Sequence, residues 1–221
     1  RASWNGGLAL FWTSIDDYIG RRLIDVGDPG VSGDEVYLRS NAGQVRLWGV
    51  EGSGRMALGG AGSEYSLETV ASWVRGRQYD DTPDPMTGEM PLNGVEVRRI
   101  PPLHGRLGLR WDESGGPRRL DHAGLWLDWA TAQRQLNPDD VTDPRIDPTG
   151  TDGWAVVSFK VSGQLASGVQ WNATLGNLLD QNYRVHGSGF DAPGRSIVLG
   201  VRASFLSGPY GYRGPTGAGG A

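Results

Sequence analysis

Residues 103–112 read Leu-His-Gly-Arg-Leu-Gly-Leu-Arg-Trp-Asp. Leu103, Leu107, Leu109 and Trp111 fall at alternate positions, with Gly105 among them. His104, Arg106, Arg110 and Asp112 fill positions between. Successive side chains of a strand point to opposite faces, so the stretch predicts a strand with one apolar and one charged face. The same period recurs along the chain. In 121–130, Ala123, Leu125, Leu127 and Trp129 oppose His122, Trp126 and Asp128. In 155–162, Ala155, Val157, Phe159 and Val161 oppose Ser158, Lys160 and Ser162. In 169–176, Val169, Trp171, Ala173 and Leu175 oppose Gln170, Asn172 and Thr174. Ile197, Leu199, Val201, Ala203 and Phe205 oppose Ser196, Gly200, Arg202 and Ser204. Noisier alternation covers 7–20, 36–58 and 65–79. Within 44–58, Trp48, Val50, Met56 and Leu58 share one face; Glu51, Ser53 and Arg55 share the other. With 36–58 taken as a single long strand, the chain predicts eight strands and almost no helix.

The connections alternate in length. Residues 59–64, 113–118 and 163–167 are short and hold the Gly, Ser or Pro of tight turns. Residues 20–35, 80–102, 131–153 and 177–194 are long and carry most of the prolines and many of the acids. Short turns at one end and long loops at the other are the asymmetry of a membrane barrel. Several strands also reach the ~9–11 residues that a tilted strand needs to cross a bilayer. A water-soluble sheet with one buried face would alternate in the same way. The tryptophans favour lipid. Trp48, Trp111, Trp129 and Trp171, with Phe205, sit on the apolar face toward strand ends, where an indole keeps its N–H wet at a membrane interface. Trp126 and Trp154 read as wall or lumen packing ahead of sugar stacking. The apolar faces are light, with Ala and Gly among Leu and Val. A lipid-facing surface needs only apolarity, whereas a protein core must also fill volume.

Composition excludes other classes. The 221 residues include 36 glycines without a triplet period, so collagen is excluded. The net charge of −4 gives no basic footprint for nucleic acid. With no cysteine there is neither a disulfide framework nor a zinc–thiolate site. No apolar run is long enough for a membrane helix. No catalytic triad spacing, phosphate-binding glycine loop or metal motif appears, so no enzyme chemistry, metal or cofactor is expected. The chain opens with Arg1 and shows no signal-peptide pattern, which reads as a processed chain or a fragment.

The last strand and the loop before it carry a resemblance. Residues 177–205 run Asn-Leu-Leu-Asp-Gln-Asn-Tyr, then a loop, Ala192-Pro193-Gly194-Arg195, and a final strand ending in Phe205. This resembles the closing hairpin of TonB-dependent outer-membrane receptors, with Leu179 in place of the usual Phe. Other segments look similar in family order. They are Ile15-Asp16-Asp17-Tyr18-Ile19, Asn41-Ala42-Gly43 before Gly49-Val50-Glu51, Ile100-Pro101-Pro102, Asp143-Pro144-Arg145-Ile146 and Gly150-Thr151-Asp152-Gly153-Trp154. The family's barrel has 22 strands around a plug. The resemblance therefore implies an all-β, antiparallel, up-and-down transmembrane barrel segment, about eight strands of the larger barrel, which in isolation could stand as an open curved sheet. It implies residues 1–205 as barrel and 206–221 as a flexible Gly/Pro-rich tail. Family members usually stop at the terminal Phe, so the tail is a departure. The plug, the TonB-binding segment and the signal peptide are expected outside this chain.

The function implied by the resemblance is uptake of a scarce nutrient, such as a ferric siderophore or cobalamin, across the bacterial outer membrane, energised through TonB. The partners would be outer-membrane lipid, the plug, TonB and a small-molecule or metal-chelate ligand. Glu51, Arg55, Glu68, His104, Arg106, Arg110, His122, Asp128, Lys160 and Arg202 would face the lumen. Tyr183, Arg184 and His186 lie in the last long loop and are the ligand-contact candidates, although ordering of the loop is the plainer reading. Pairing about a turn near 115 puts His104 opposite 126 and His122 opposite 108, too far apart to share a metal. Asp80, Asp81, Asp84 and Glu89, and Asp139, Asp140, Asp143, Asp147 and Asp152, read as solvated acidic loop surface ahead of divalent-cation sites. The rival reading is a self-contained eight-stranded barrel acting as anchor, adhesin or narrow pore, its interior filled by side chains.

Overall fold

A computed structural model describes residues 2–25, 36–41, 43–59, 63–79, 94–113 and 119–204. Phe205, residues 206–221 and the acids at 80, 81, 84 and 89 lie outside the described residues. The strands are β1 (Ala2–Ile15), β2 (Ile19–Asp25), β3 (Val36–Asn41), β4 (Gln44–Gly59), β5 (Ser63–Tyr79) and β6 (Val95–Glu96). They continue as β7 (His104–Glu113), β8 (His122–Ala130), β9 (Trp154–Ala166), β10 (Val169–Gly176) and β11 (Ser196–Ala203), with one short helix α1 (Pro138–Val141). The main sheet has nine strands in the order β1-β4-β5-β7-β8-β9-β10-β11, with β6 added beside β5. Its pairs are antiparallel. β1 and β11 are its two edges, so the sheet is open.

The expected single strand over 36–58 is two. Asp17 and Gly43 both take positive φ, 54° and 69°, and the Tyr18 amide donates to the Gly43 carbonyl at 3.2 Å. These facing kinks end the β1–β4 ladder and start a second one. There β2 pairs with β3, from Ile19↔Asn41 to Asp25↔Val36. The segment expected as a long loop from residue 20 is thus partly a hairpin. Its arginines and short strands mask the alternation that marks the other strands.

Register makes each face continuous across strands. Leu67↔Leu109, Leu109↔Leu125 and Leu125↔Phe159 form one apolar row. Arg55↔Glu68, Arg106↔Asp128 and Asp112↔His122 belong to the other face. Nothing in the described chain covers the apolar face. Trp4 is 82% exposed, Leu10 73% and Leu199 75%, while the buried apolar residues are Val45, Ala130, Ile146 and Val156. Burying a Leu or Val contributes about 1.5–3 kcal/mol, so a sheet of this size left bare in water would forgo most of its stabilisation. On the polar face, Trp126 lies across Gly108 and Gly124, and a Cβ at Gly108 would overlap its ring.

Candidate functional site

The long-loop end of β7 to β11 carries a platform built from residues 94–103, 131–153 and 177–195. Its centre is a pair of buried carboxylates. Asn137 caps α1, Pro138 opens it, and Asp140 returns the capping box. Asp140 is 1% exposed and accepts from the Arg99 amide at 3.0 Å and from Arg98 Nε at 3.4 Å. Asp143, 5% exposed, accepts from Arg98 Nη2 at 3.2 Å, Arg99 Nη2 at 2.5 Å and Arg145 Nε at 3.0 Å. For Asp140 and Asp143 this corrects the expectation of a solvated acidic surface; Asp147 and Asp152 are exposed as that expectation has them. Arg98 and Arg99 from the segment before β7, with Arg145 two residues along from Asp143, make burial of the two carboxylates tolerable, because a buried charge without partners is costly. Asp152 pairs with Arg134. The Thr149 hydroxyl and amide donate to Asp147 at 2.6 and 2.8 Å and hold its carboxyl below the usual range. Among the described residues, no group of three or more His, Asp or Glu could hold a metal ion.

The loop after β10 is tied down equally tightly. Asn177 is buried at φ 51°; its Oδ1 accepts from the Gln181 amide at 2.8 Å, and its Nδ2 donates to the Gln181 and Pro193 carbonyls. The Leu178 amide donates to the Val157 carbonyl at 2.8 Å, which locks the loop onto β9. Within this frame the Tyr183 ring packs on Trp154 with centroids 4.7 Å apart. Arg184 pairs with Asp191 at 2.8 Å. His186 Nδ1 lies 2.9 Å from the Thr151 hydroxyl, joining this loop to the preceding one. Burial pushes the His186 imidazole below its ordinary pKa, with Asp140 opposing the shift.

These three candidates line two adjoining cavities. Tyr183, Arg184, Asp147 and Asp191 border one of about 270 Å³. His186, His104, Pro101, Pro102 and Trp129 border one of about 290 Å³. Trp154 and Thr151 line both. The sequence alone reads Trp154 as packing. Its position at the first residue of β9, after Gly150-Thr151-Asp152-Gly153, is the signal that it belongs to the rim.

The ten charged or histidine residues expected toward a lumen occupy one face. Arg55 pairs with Glu64 at 2.7 Å, Arg106 with Asp128 at 2.6 Å and Arg110 with Asp112 at 2.6 Å. Glu68 lies 3.7 Å from Arg55, and Glu51 accepts from Ser72 Oγ at 3.4 Å. Trp126 lies under two cations, the Arg106 guanidinium at 5.8 Å and Lys160 Nζ at 5.6 Å. Arg202 is opposite Gln170 on the exposed edge. A cavity of about 380 Å³ opens among Arg55, Glu68, Arg106 and Trp126. His104 pairs with Ala130 and His122 with Asp112, not with 126 and 108. The register of β7 with β8 is thus shifted by four residues from the expected pairing. The two rings lie at opposite ends of the same ladder.

On the apolar face, Trp48 stacks on Trp12 with centroids 5.7 Å apart. Trp111 is paired with Tyr65 and Ala123, and Trp129 with Gly105. Trp171 donates its indole N–H to the Arg119 carbonyl at 3.0 Å. Trp4, Tyr65 and Trp73, which the alternation alone does not single out, complete the set. Trp4 and Trp12 on β1, and Tyr65 and Trp73 on β5, are each separated by roughly 27 Å along the strand at ~3.4 Å per residue. Projected through the 35–45° strand tilt of a barrel wall this is about 19–22 Å, which falls within the ~25 Å apolar band of such a wall and places aromatics toward both margins.

The model of the family described as TonB dependent receptor-like, beta-barrel matches residues 1–178. The chain belongs to the TonB-dependent receptor family. That family is one of outer-membrane receptors and transporters rather than enzymes. A copper transporter, OprC, superposes on this receptor chain with TM-score 0.67 at 19% identity, over 91% of this chain. Two variants of the FrpB iron transporter from Neisseria meningitidis, F3-3 and F5-1, superpose with TM-scores 0.59 and 0.62 at 16% identity, again over 91% of this chain. This chain spans 29% of the length of each of these structures. No curated protein matches it.

Proposed function

We propose that this chain is the closing part of the barrel wall of an outer-membrane receptor that takes up a scarce nutrient, energised through TonB. The observation that carries this reading is the bare apolar face, framed by aromatics on an open sheet of long strands. Lipid is the surrounding that such a face needs, and further strands at both edges are what the backbone needs, since unpaired groups in hydrocarbon each cost several kcal/mol. In this reading residues 1–205 are wall and 206–221 a tail. The charged face of β4, β5, β7, β8 and β9 lines the lumen and meets the plug. The platform around Trp154, Tyr183, Arg184 and His186 forms part of the vestibule that a small molecule or metal chelate enters, ferric siderophore and cobalamin being the classes considered. The protein contributes no bond chemistry.

The test is uptake by cells carrying the complete receptor, with radiolabelled ferric siderophores and cobalamin as probes. The expected result is accumulation that stops when the proton gradient is collapsed or TonB is deleted. Uptake indifferent to both would mark a passive pore.

A further inference from the structure

We propose that the apolar side of the sheet, at the long-loop end of β4 and β5, binds the phosphate of an outer-leaflet lipid headgroup. The inference rests on the membrane-wall reading of the sheet. Register places Arg46 directly opposite Arg77, and Trp48 directly opposite Arg75. All four share the face that carries Trp12, Val50 and Trp73. Arg46 and Arg77 therefore stand immediately beyond the aromatic margin and Arg75 level with it, where headgroups replace acyl chains.

Among the described residues one carboxylate, that of Glu96, pairs within this group of three arginines. Glu96, on β6 beside Arg77, lies 3.0 Å from Arg75 and 3.9 Å from Arg77. Asp16 is engaged by the Gln44 amide at 2.5 Å. Among the described residues Arg46 has no carboxylate at all. Its Nε donates to Gln44 Oε1 at 2.7 Å, and its guanidinium lies 4.8 Å over the Tyr79 ring. Like charges directly opposed across a ladder are destabilising, and Glu96 is one carboxylate against three arginines. Here two arginines are opposed, a third is adjacent, and the surroundings are an apolar slope in which an ion pair is strong. Arg77 keeps 48% of its side chain exposed, so its donors are available. Guanidinium forks match phosphate oxygens in pairs, and Trp12, 66% exposed beneath them, offers a surface for the acyl chains of the same lipid. A free phosphate would use the arginines but gain nothing from Trp12, and this favours the lipid as the source.

The experiment is native mass spectrometry of the protein purified from outer membranes in mild detergent, titrated with diphosphorylated lipid A, its dephosphorylated form and inorganic phosphate. The wild type is expected to retain the diphosphorylated lipid in preference. The double variant Arg46→Gln/Arg77→Gln is expected to lose roughly tenfold or more of that affinity, in line with headgroup attraction per basic residue. Arg46→Lys/Arg77→Lys should fall between the two, since the charge is kept and the paired fork is lost, and binding of the dephosphorylated lipid should not change between variants. Arg77→Gln alone gives the same direction with the fold least disturbed, since the Arg77 side chain is more exposed than that of Arg75. Unchanged retention in both glutamine variants would mean that the chain's own acids serve these arginines. Equal displacement by inorganic phosphate would mean that no lipid is selected. Either result overturns the inference while leaving the wall in place. A protein absent from the outer membrane overturns the wall reading, and this inference with it.

Discussion

Asp143 and His186 show how single residues hold the platform. Asp143 is the shared acceptor of Arg98, Arg99 and Arg145. Asp143→Asn would leave three cations around a neutral amide. The arginines are partly exposed and can turn to solvent, so the expected loss is about 2 kcal/mol, below that of a fully buried pair. Hydrogen exchange should quicken across 131–153 and leave β7 to β9 unchanged. His186 behaves oppositely to a histidine that gains an acidic partner. Its folded pKa lies below the unfolded value near 6.5 because burial disfavours the charged ring. The unfolded loop then binds more protons, so this ring's contribution is complete above the unfolded value and is lost as pH falls through the folded one. Protection factors across 177–194, corrected for the intrinsic pH dependence of exchange, are therefore expected to be lower at pH 5 than at pH 7.5, and His186→Gln should remove most of that difference.

Strands are legible in the sequence wherever one face is lipid-like and the other charged. Residues 103–112 and 121–130 alternate without a break, and β7 and β8 fall on them within a residue. Where the sequence misleads, the causes are local. β2 and β3 are hidden because Arg21, Arg22 and Arg39 interrupt both faces. The platform is the least legible part. Asp140 and Asp143 look like any acidic loop until Arg98 and Arg99, more than 40 positions earlier, are folded onto them. Tyr183, Arg184 and His186 stand out through a family resemblance and loop position, whereas Trp154 becomes visible only in the fold. The alternation itself makes a sharp expectation. Leu109→Arg, on the bare face of β7, should lower folding stability in bilayers by about 2–4 kcal/mol. Ser158→Arg, on the polar face of β9, should change it by less than ~1 kcal/mol, as lumen-facing substitutions do. Denaturant titration into vesicles followed by tryptophan fluorescence measures both.

The sheet as a whole is a wall without closure. Among the described residues β1 and β11 are edge strands without a second partner, and such edges recruit other strands. Expressed alone, the chain is expected to aggregate or pair with itself; within a complete receptor its edges are taken up by neighbouring strands. Everything proposed for the wall depends on its apolar face meeting hydrocarbon. The chain has no cysteine, so single cysteines can be introduced one at a time and spin-labelled without background. In the complete receptor reconstituted in bilayers, labels at Leu107, Leu109, Leu125 and Leu199 should be relaxed by oxygen and shielded from a water-soluble nickel chelate. Labels at Ser158, Lys160 and Thr174 should show no such preference for oxygen. Equal access of the nickel chelate to both sets would overturn the membrane reading, because the apolar face would then be standing in water.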